Sequence, residues 1–322
     1  MSTLVSASSK IEAGFAADVR GGLTLAGQKE LHSQYLYDDL GSALFEAITL
    51  LPEYGLTRAD TRLLQRYSSE IVERIGGPVY VAELGSGTGQ KTRYVLEALR
   101  ARQSSVRYSP IDVSRLALAH CERVLARVAD VEPVLDSYIS GVVRAAASRK
   151  SNEKLLVLFL GSTIGNFTRP KAFEFLSELR EVLLPGDYLL IGADLVKPIQ
   201  QLIDAYDDPT GVTAAFNLNL LARVNRELDA NFNLRCFRHE ARYSSQEQRV
   251  EMHLASTVNQ RVSVPGAGCM VDFVAGETIW TESSHKYQLR ELNAMAAQNG
   301  FGVEAQWVDR EWPFAESLWV VL

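Results

Sequence analysis

The stretch VAELGSGTGQKTRYVL, residues 81–96, runs from apolar residues through a turn of three glycines into a helical pattern. Several classes of ligand bind at a strand, a glycine turn and a helix in this order, and the spacing within the turn separates them. A phosphate-binding P-loop requires a glycine directly before its Lys-Thr pair, where this chain has Gln90. The dinucleotide fingerprint needs a small residue at that same position. Gln90 therefore excludes the P-loop and weakens the dinucleotide interpretation.

Two acidic residues frame the same turn. Glu83 lies in the apolar stretch 79–84, and Asp112 ends the next β-rich stretch, 106–112, with Gly85-Ser86-Gly87 following Glu83. Glycines let a ligand approach the backbone closely, and a carboxylate at a strand end accepts hydrogen bonds from ribose hydroxyls. This combination is typical of methyltransferases that use S-adenosylmethionine (SAM). The alternative is a tight strand-to-helix turn without a ligand.

Strand-like and helical stretches alternate through the middle of the chain. The strand-like stretches are 79–84, 106–112, 154–161 and 187–193, and the helical patterns are 91–103, 114–128 and 169–183. This alternation predicts βαβ units around a parallel sheet. The final stretch, 302–322, holds two strand-like runs around a proline-containing turn, which favours an antiparallel strand added to that sheet.

The pattern between these regions is different and indicates a second domain. Residues 196–228 are mostly helical, and residues 237–264 alternate polar and apolar positions like a meander of strands. We therefore predict an α/β protein with two domains. Residues 60–195 with 287–322 would form a Rossmann-like class I SAM methyltransferase sheet, parallel with one antiparallel strand at the C-terminus. Residues 1–59 with 196–286 would form an α+β substrate-binding domain.

Composition limits the possible partners. The 322 residues are 47% hydrophobic, and 33 basic against 39 acidic side chains give a net charge of −6, which argues against nucleic-acid and membrane partners. Three scattered cysteines and five histidines show no metal-ligand spacing, so we expect no metal and reduced thiols. No signal-peptide pattern or run of 18 apolar residues occurs, so we expect a cytoplasmic protein.

Longer motifs then sharpen the assignment. They are LYDDLGSALFEAITLLPEYGLTR (36–58), AELGSGTGQKTR (82–93), LFLGSTIGNF (158–167), AYDDPTGVTAAFNLNLLARVNREL (205–228), EMHLAS (251–256) and TESSHKY (281–287). Together they resemble the histidine-specific SAM-dependent N-α-methyltransferases of ergothioneine biosynthesis, over nearly the whole chain from about residue 20. The resemblance implies that three methyl groups pass from SAM to the α-amine of L-histidine, giving hercynine.

The resemblance also implies cofactor-binding residues. Gly85, Lys91 and Asp112 match cofactor-binding positions, and Glu83, Ser86 and Gly87 complete the glycine turn. Ser137 and Tyr138, in LDSYISGV (135–142), align with a Thr-Tyr pair that holds the adenine in the family, although many members have Gly-Asp-Phe there.

A further set of residues matches the family's amino-acid site. Asn166 and Tyr37 are the implied catalytic residues. The implied substrate-binding residues are Tyr54, Phe45, Gly161, Asn166, Tyr206, Thr213, Met252, Glu282, Ser283 and Ser284. Many members have a second tyrosine after the one at position 54, where this chain has Gly55, so the local packing is harder to predict.

The chemistry of methyl transfer is consistent with these residues. The transfer needs orientation more than acid or base catalysis, and aromatic faces such as Tyr37, Phe45 and Tyr54 can contact a growing quaternary ammonium. Glu282 is the one acidic candidate in the matched motifs for pairing with an imidazole N–H. The partners we expect are L-histidine and its methylated intermediates, bound by a monomer. Two alternatives stay open: an N-methyltransferase of another amino acid such as tryptophan, and a non-catalytic SAM-binding module.

Overall fold

The structure is a computed structural model, and it describes residues 14–322. The helices are α1 (14–23), α2 (Asp39–Thr49), α3 (Gly55–Ile75), α4 (Arg93–Arg100), α5 (Arg115–Leu125), α6 (Tyr138–Ser148), α7 (Arg169–Val182), α8 (Ile199–Asp204), α9 (Val212–Glu227) and α10 (Leu289–Gln298). The strands are β1 (Lys29–Glu30), β2 (Val79–Leu84), β3 (Arg107–Asp112), β4 (Asp130–Val131), β5 (Val134–Leu135), β6 (Lys154–Phe159), β7 (Tyr188–Asp194), β8 (Phe237–Ser244), β9 (Arg249–Ser256), β10 (Gln260–Val264), β11 (Cys269–Phe273), β12 (Thr278–His285), β13 (Phe301–Asp309) and β14 (Phe314–Val321).

Contacts between residues divide the chain into two compact units. Unit 1 contains the described part of Met1–Tyr54 together with Pro198–Ser284, and unit 2 contains Gly55–Lys197 with His285–Leu322. The domain boundaries expected from sequence lie after residues 59, 195 and 286, and they stay a prediction. The first 13 residues of the predicted substrate-binding domain lie outside the described part of the chain.

Unit 2 is built on an eight-stranded sheet. Its main path is β13-β14-β7-β6-β2-β3-β4, and β5 also pairs with β3. The strands from β7 to β4 are parallel, whereas β14 runs antiparallel to both β7 and β13. Every residue of β2 and β7 is buried, as expected for central strands covered on both faces. The predicted Rossmann-like sheet with one antiparallel strand near the C-terminus is confirmed.

Unit 1 combines helices with a smaller sheet. A four-stranded sheet has the order β1-β12-β9-β8, and β10 and β11 form a separate antiparallel pair. The prediction of a helical segment followed by strands is confirmed by α8 and α9 and then β8 and β9. The meander expected over 237–264 is only partly right, because β12 rather than β10 pairs with β9. The chain reverses after β10 through a 3₁₀ turn and the left-handed Gly268, so β10 pairs with β11 instead.

Candidate functional site

The glycine turn after β2 has the backbone geometry that its sequence predicts. Gly85, Gly87 and Gly89 have φ angles of +66°, +51° and +69°, a region that residues with side chains rarely adopt. Asp112, at the end of β3, accepts hydrogen bonds from Gly87 N at 3.3 Å and Ser114 N at 2.9 Å. Within residues 14–322, and apart from Gly87 itself and its two chain neighbours, no atom lies within 4 Å of the position that a Gly87 Cβ would occupy, so the backbone there is open to a ligand.

Glu83 lies under this turn rather than at its surface. Its buried carboxylate accepts hydrogen bonds from Thr92 Oγ1, at 2.8 Å to each oxygen, and from the Tyr108 hydroxyl. Burial raises the pKa of Glu83 to about 7, although both hydroxyl donors act in the opposite direction. Glu83 thus ties the start of α4 to β2 and β3. Ser86, in the turn itself, is also buried.

Tyr138 borders the turn from the side of α6. Its ring packs edge-on against Phe159 and Phe175, with centroid distances of 5.8 and 6.1 Å. Its hydroxyl lies 3.2 Å from the position that a Gly85 Cβ would occupy. Burial raises the pKa of Tyr138 to about 12, so the hydroxyl stays protonated and can donate a hydrogen bond. Ser137 is the N-cap residue of α6, without a side-chain capping bond.

Lys91 follows the turn and approaches the loop after β6. Its ammonium donates to the fully buried Asp60, whose Oδ2 also accepts from Gly161 N at 2.9 Å. Burial disfavours the charged form, but Asp60 beside it raises the pKa of Lys91 above its ordinary value. A Cβ on Gly161 would lie 2.9 Å from Lys91 Nζ, so glycine keeps room for the ammonium.

The loop after β6 has a strained backbone. Gly161 and Ser162 are both left-handed, with φ of +72° and +58°, and Ser162 is one of the few described residues other than glycine with a positive φ. The Ser162 hydroxyl accepts a hydrogen bond from Asp194 N at 2.9 Å, which helps to hold this conformation. The 3₁₀ turn that follows ends at the partly exposed Asn166. Such strain is concentrated at functional sites, which supports a role for this loop.

The aromatic residues predicted for the amino-acid site form one cluster in unit 1. The Tyr37 and Phe45 centroids are 5.5 Å apart, those of Phe45 and Tyr54 are 6.3 Å apart, and those of Tyr54 and Tyr206 are 6.0 Å apart. The fifth ring is Phe216 on α9, 5.5 Å from Tyr37 and 6.0 Å from Phe45. Sequence analysis missed Phe216, which occurs in the matched 205–228 motif but carries no signal of its own.

Strand β12 adds polar groups to this aromatic cluster. The Tyr37 hydroxyl donates to Glu282 Oε1 at 3.3 Å, and the Tyr206 hydroxyl donates to Ser284 Oγ at 2.7 Å. Side chains alternate between the two faces of a strand, so Glu282 and Ser284 share a face and Ser283 lies on the other. Met252, on the neighbouring strand β9, is buried.

Thr213 is buried in the first turn of α9. Its backbone N–H donates to Asp208 Oδ1 at 2.7 Å.

Most of the chain matches a known protein family. The profile described as "Histidine-specific methyltransferase, SAM-dependent" matches residues 15–321. This chain belongs to that family. It is 43% identical to the histidine N-alpha-methyltransferase of Mycolicibacterium smegmatis and 41% identical to that of Mycobacterium tuberculosis, in each case over 94% of this chain and 93% of the relative. It is 25% identical to the L-tryptophan methyltransferase of Psilocybe serbica, over 92% of this chain and 89% of the relative.

Members of this family use SAM, and the residues around the glycine turn fit that cofactor. The turn exposes backbone at Gly87, Asp112 offers a partly exposed carboxylate, and Lys91 offers a cation. A carboxylate suits ribose hydroxyls and an ammonium suits the α-carboxylate of the methionine part. Among residues 14–322, no group of three or more His, Cys, Asp and Glu side chains has the arrangement of a metal site, and no helix is long and apolar enough to cross a membrane.

His239 and Asn217 were not predicted as site residues, yet they support Tyr206. His239 Nε2 lies 2.7 Å from the Tyr206 carbonyl oxygen, and Nδ1 lies 2.9 Å from Asn217 Nδ2. Because the amide nitrogen can only donate, Nδ1 accepts and Nε2 carries the proton that bonds to the carbonyl. Burial lowers the pKa of His239, which keeps the ring neutral. His239 is therefore a structural residue.

Proposed function

We propose that this protein transfers three methyl groups in succession from SAM to the α-amine of L-histidine, giving hercynine, at an early step of ergothioneine biosynthesis. The observation that carries this proposal is the contact between the Tyr37 hydroxyl and Glu282 within a cluster of aromatic rings. It places a carboxylate suited to imidazole beside rings suited to an alkylated ammonium. Membership of the histidine-specific family supports the same substrate.

The cofactor is assigned to residues of unit 2. Asp112 would hold the ribose hydroxyls, Lys91 the methionine carboxylate, and Ser137 with Tyr138 the adenine, while Gly85, Ser86 and Gly87 supply backbone and Glu83 supports them from below. SAM supplies a methyl group bonded to a sulfonium sulfur. This sulfur is the leaving group, and it needs no metal or acid to leave. We assign residues 60–195 with 287–322 as the SAM-binding domain, and residues 1–59 with 196–286 as the substrate-binding domain.

The amino acid is assigned as follows. Asn166 would donate to its carboxylate while the amide oxygen accepts from the amine, and Gly161 would contact the same end. Glu282 and Ser284 would bind the imidazole, with Met252 as an apolar wall of that pocket. The supporting positions are Tyr54, Tyr206, Thr213 and Ser283.

For three successive transfers, the site must be able to hold the amine after each methyl group has been added. Tyr37 and Phe45 would contact the amine as it becomes quaternary, because an aromatic face binds a cation without requiring an N–H donor. The amine must be neutral to attack, and the nearby positive sulfonium disfavours its protonated form. Orientation of the amine by Asn166 and Tyr37 is therefore the catalytic contribution of the protein.

Incubation with SAM and each proteinogenic amino acid tests this function. Mass spectrometry should show one, two and three added methyl groups on histidine, and not on tryptophan or tyrosine. The Asn166→Ala variant should lose turnover while its SAM affinity, measured by calorimetry, stays close to that of the parent. Methylation of tryptophan in preference to histidine would overturn the substrate assignment. We also propose that a monomer carries out the reaction, which light scattering on the active enzyme tests.

A further inference from the structure

A group of buried charged residues lies beneath the loop that contains Gly161. We call Asp60, on α3, and Glu316, on β14, the acid pair. Both are fully buried, and Lys91 is the cation beside them. If both carboxyl groups were ionised, the two of them with one ammonium would leave a net negative charge in the interior. Such an excess buried charge is costly.

The hydrogen bonds of the acid pair indicate how that charge is balanced. Asp60 Oδ2 has two donors, Lys91 and Gly161 N, whereas Asp60 Oδ1 and both Glu316 oxygens receive no N–H or hydroxyl donor from the described residues. Both carboxyl groups nevertheless adjoin Gly161, because Asp60 Oδ2 is 2.9 Å from Gly161 N, and one point, the Cβ position of Gly192, is 3.3 Å from Gly161 N and 2.7 Å from Glu316 Oε1. Two adjoining carboxyl groups can hydrogen-bond to each other only when one of them carries a proton.

Their surroundings decide which carboxyl group holds the proton. Asp60 is the member of the acid pair that forms an ion pair with Lys91. Burial, and then the negative charge of Asp60, raise the pKa of Glu316 well above its ordinary range. Asp60 is therefore the carboxylate and Glu316 the acid, and the pair with Lys91 has no net charge.

Two glycines leave space for this arrangement. Gly192 is opposite Glu316 in the register of β7 and β14. A Cβ on Gly192 would lie 2.7 Å from Glu316 Oε1 and 3.3 Å from Gly161 N. The Glu316 carboxyl group and the Gly161 backbone therefore both adjoin the space that a side chain at Gly192 would fill.

We propose that Asp60 and Glu316 share one proton and are positioning residues, which together hold Lys91 and the Gly161 N–H ready for the carboxylate of the methionine part of SAM. This inference rests on the proposed role of Lys91 as a cofactor-binding residue. The shared proton keeps the acid pair at a single negative charge. If Glu316 lost that proton, a second negative charge beside Lys91 would draw the ammonium inwards and repel the ligand carboxylate.

Calorimetric titration of S-adenosylhomocysteine into the intact protein tests the proposal. Gln has the shape of a protonated glutamic acid and can donate to Asp60, so Glu316→Gln should keep the dissociation constant within about twofold at neutral pH. Asp60→Asn removes the charge that holds Lys91 and should weaken binding by about tenfold or more. 5′-Methylthioadenosine lacks the amino-acid end, so its affinity should not change in either variant.

The pH dependence of ligand affinity distinguishes a positioning role of the acid pair from a merely structural one. As the pH rises, parent affinity should fall relative to that of Glu316→Gln, because only the parent can lose the shared proton. Glu304→Gln, at an exposed position of the adjacent strand β13, is the matched control and should follow the parent. The infrared band of a protonated carboxyl group should be present in the parent and in Glu304→Gln and be reduced in Glu316→Gln.

Either of two results would overturn the inference. One is a loss of affinity in Glu316→Gln as large as that in Asp60→Asn, and the other is coincident pH profiles for the parent and Glu316→Gln. These measurements need no methyl transfer. A parent protein that binds S-adenosylhomocysteine but does not methylate histidine would therefore overturn the proposed function alone.

Discussion

At the scale of single residues, burial alters the chemistry of Glu83. Its pKa of about 7 lies above the ordinary 4.5, so between these values the native state holds a proton that the unfolded chain has lost. The favourable contribution of Glu83 to the free energy of unfolding is therefore complete below about pH 4.5, and it is lost as the pH rises through about 7. Such a group makes the stability of the glycine turn depend on pH near neutrality.

Replacement of Glu83 by Gln should remove this dependence. Relative to the parent, the variant should gain stability as the pH rises from about 4.5 to about 7, by up to roughly 1.4 kcal/mol for each pH unit. Urea unfolding across this range measures the difference. Glu174→Gln, at an exposed position of α7, should show no such trend. A constant difference between parent and Glu83→Gln would mean that Glu83 is ionised throughout.

Glu282 is the residue on which we propose that substrate choice depends. Glu282→Ala should remove a charge-assisted bond worth roughly 1.5 to 3 kcal/mol, so that histidine affinity falls about ten- to a hundredfold while SAM affinity is retained. Combination with Met252→Val should enlarge the pocket and raise tryptophan activity relative to histidine activity.

Steady-state kcat/KM values on histidine and tryptophan measure the ratio that defines this specificity. Glu282→Gln is the matched control, because it keeps the size of the side chain and removes its charge. An unchanged ratio in the double variant would remove Glu282 and Met252 from the imidazole pocket.

At the scale of elements, the start of α9 depends on one carboxylate. Asp208 accepts hydrogen bonds from Val212 N at 3.1 Å and Thr213 N at 2.7 Å, and its side chain also bonds to the Thr210 hydroxyl. Burial opposes ionisation, but these hydrogen bonds prevail and lower the pKa of Asp208 to about 2. Asp208 thus satisfies N–H groups that the first turn of a helix leaves without partners.

Replacement of Asp208 by Ala should destabilise the protein by about 1 to 2 kcal/mol, because these N–H groups lose their acceptor. The lowered pKa means that the contribution is present above about pH 3.8 and is lost as the pH falls towards 2. Chemical denaturation measures the loss, and Asp207→Ala, one residue away and exposed, should have little effect. Equal stabilities of the two variants would contradict this role.

At the scale of the whole molecule, the assigned ligand contacts are distributed over both units. The residues proposed to bind the cofactor belong to unit 2, whereas Glu282, Ser284 and the aromatic cluster belong to unit 1. Unit 1 consists of two stretches of sequence separated by most of unit 2. We therefore expect the cofactor to change hydrogen exchange in unit 2, and histidine to change it in unit 1.

Hydrogen exchange read by mass spectrometry tests this division. S-adenosylhomocysteine alone should slow exchange in residues 85–91 and 112–114, and added histidine should then slow exchange in β12. Asp112→Ala should lose the first effect at the same ligand concentration, because it lacks the acceptor for the ribose. Protection of β12 by S-adenosylhomocysteine alone, as strong as that with histidine present, would contradict the assignment.

Sequence alone determined the features that neighbouring residues control. The turn at Gly85, Gly87 and Gly89 follows from the backbone freedom of glycine, and β2 and β7 follow from short apolar runs, which are typical of parallel strands covered on both faces. The single antiparallel strand, β14, was predictable because a proline-containing turn separates it from β13. The site residues came from the matched motifs and stay predictions.

Only the tertiary structure decided which distant residues meet. Asp60, Lys91 and Glu316 come from three separate regions of the chain, and nothing in their local sequences indicates that they share one buried space. The sequence likewise did not reveal that Phe216 completes the aromatic cluster or that β12 rather than β10 lies beside β9. Local periodicity shows which face of an element is apolar, but its partner depends on how the entire chain buries its surface. The pKa of Glu83 has the same origin, because desolvation exists only after the surrounding elements have packed.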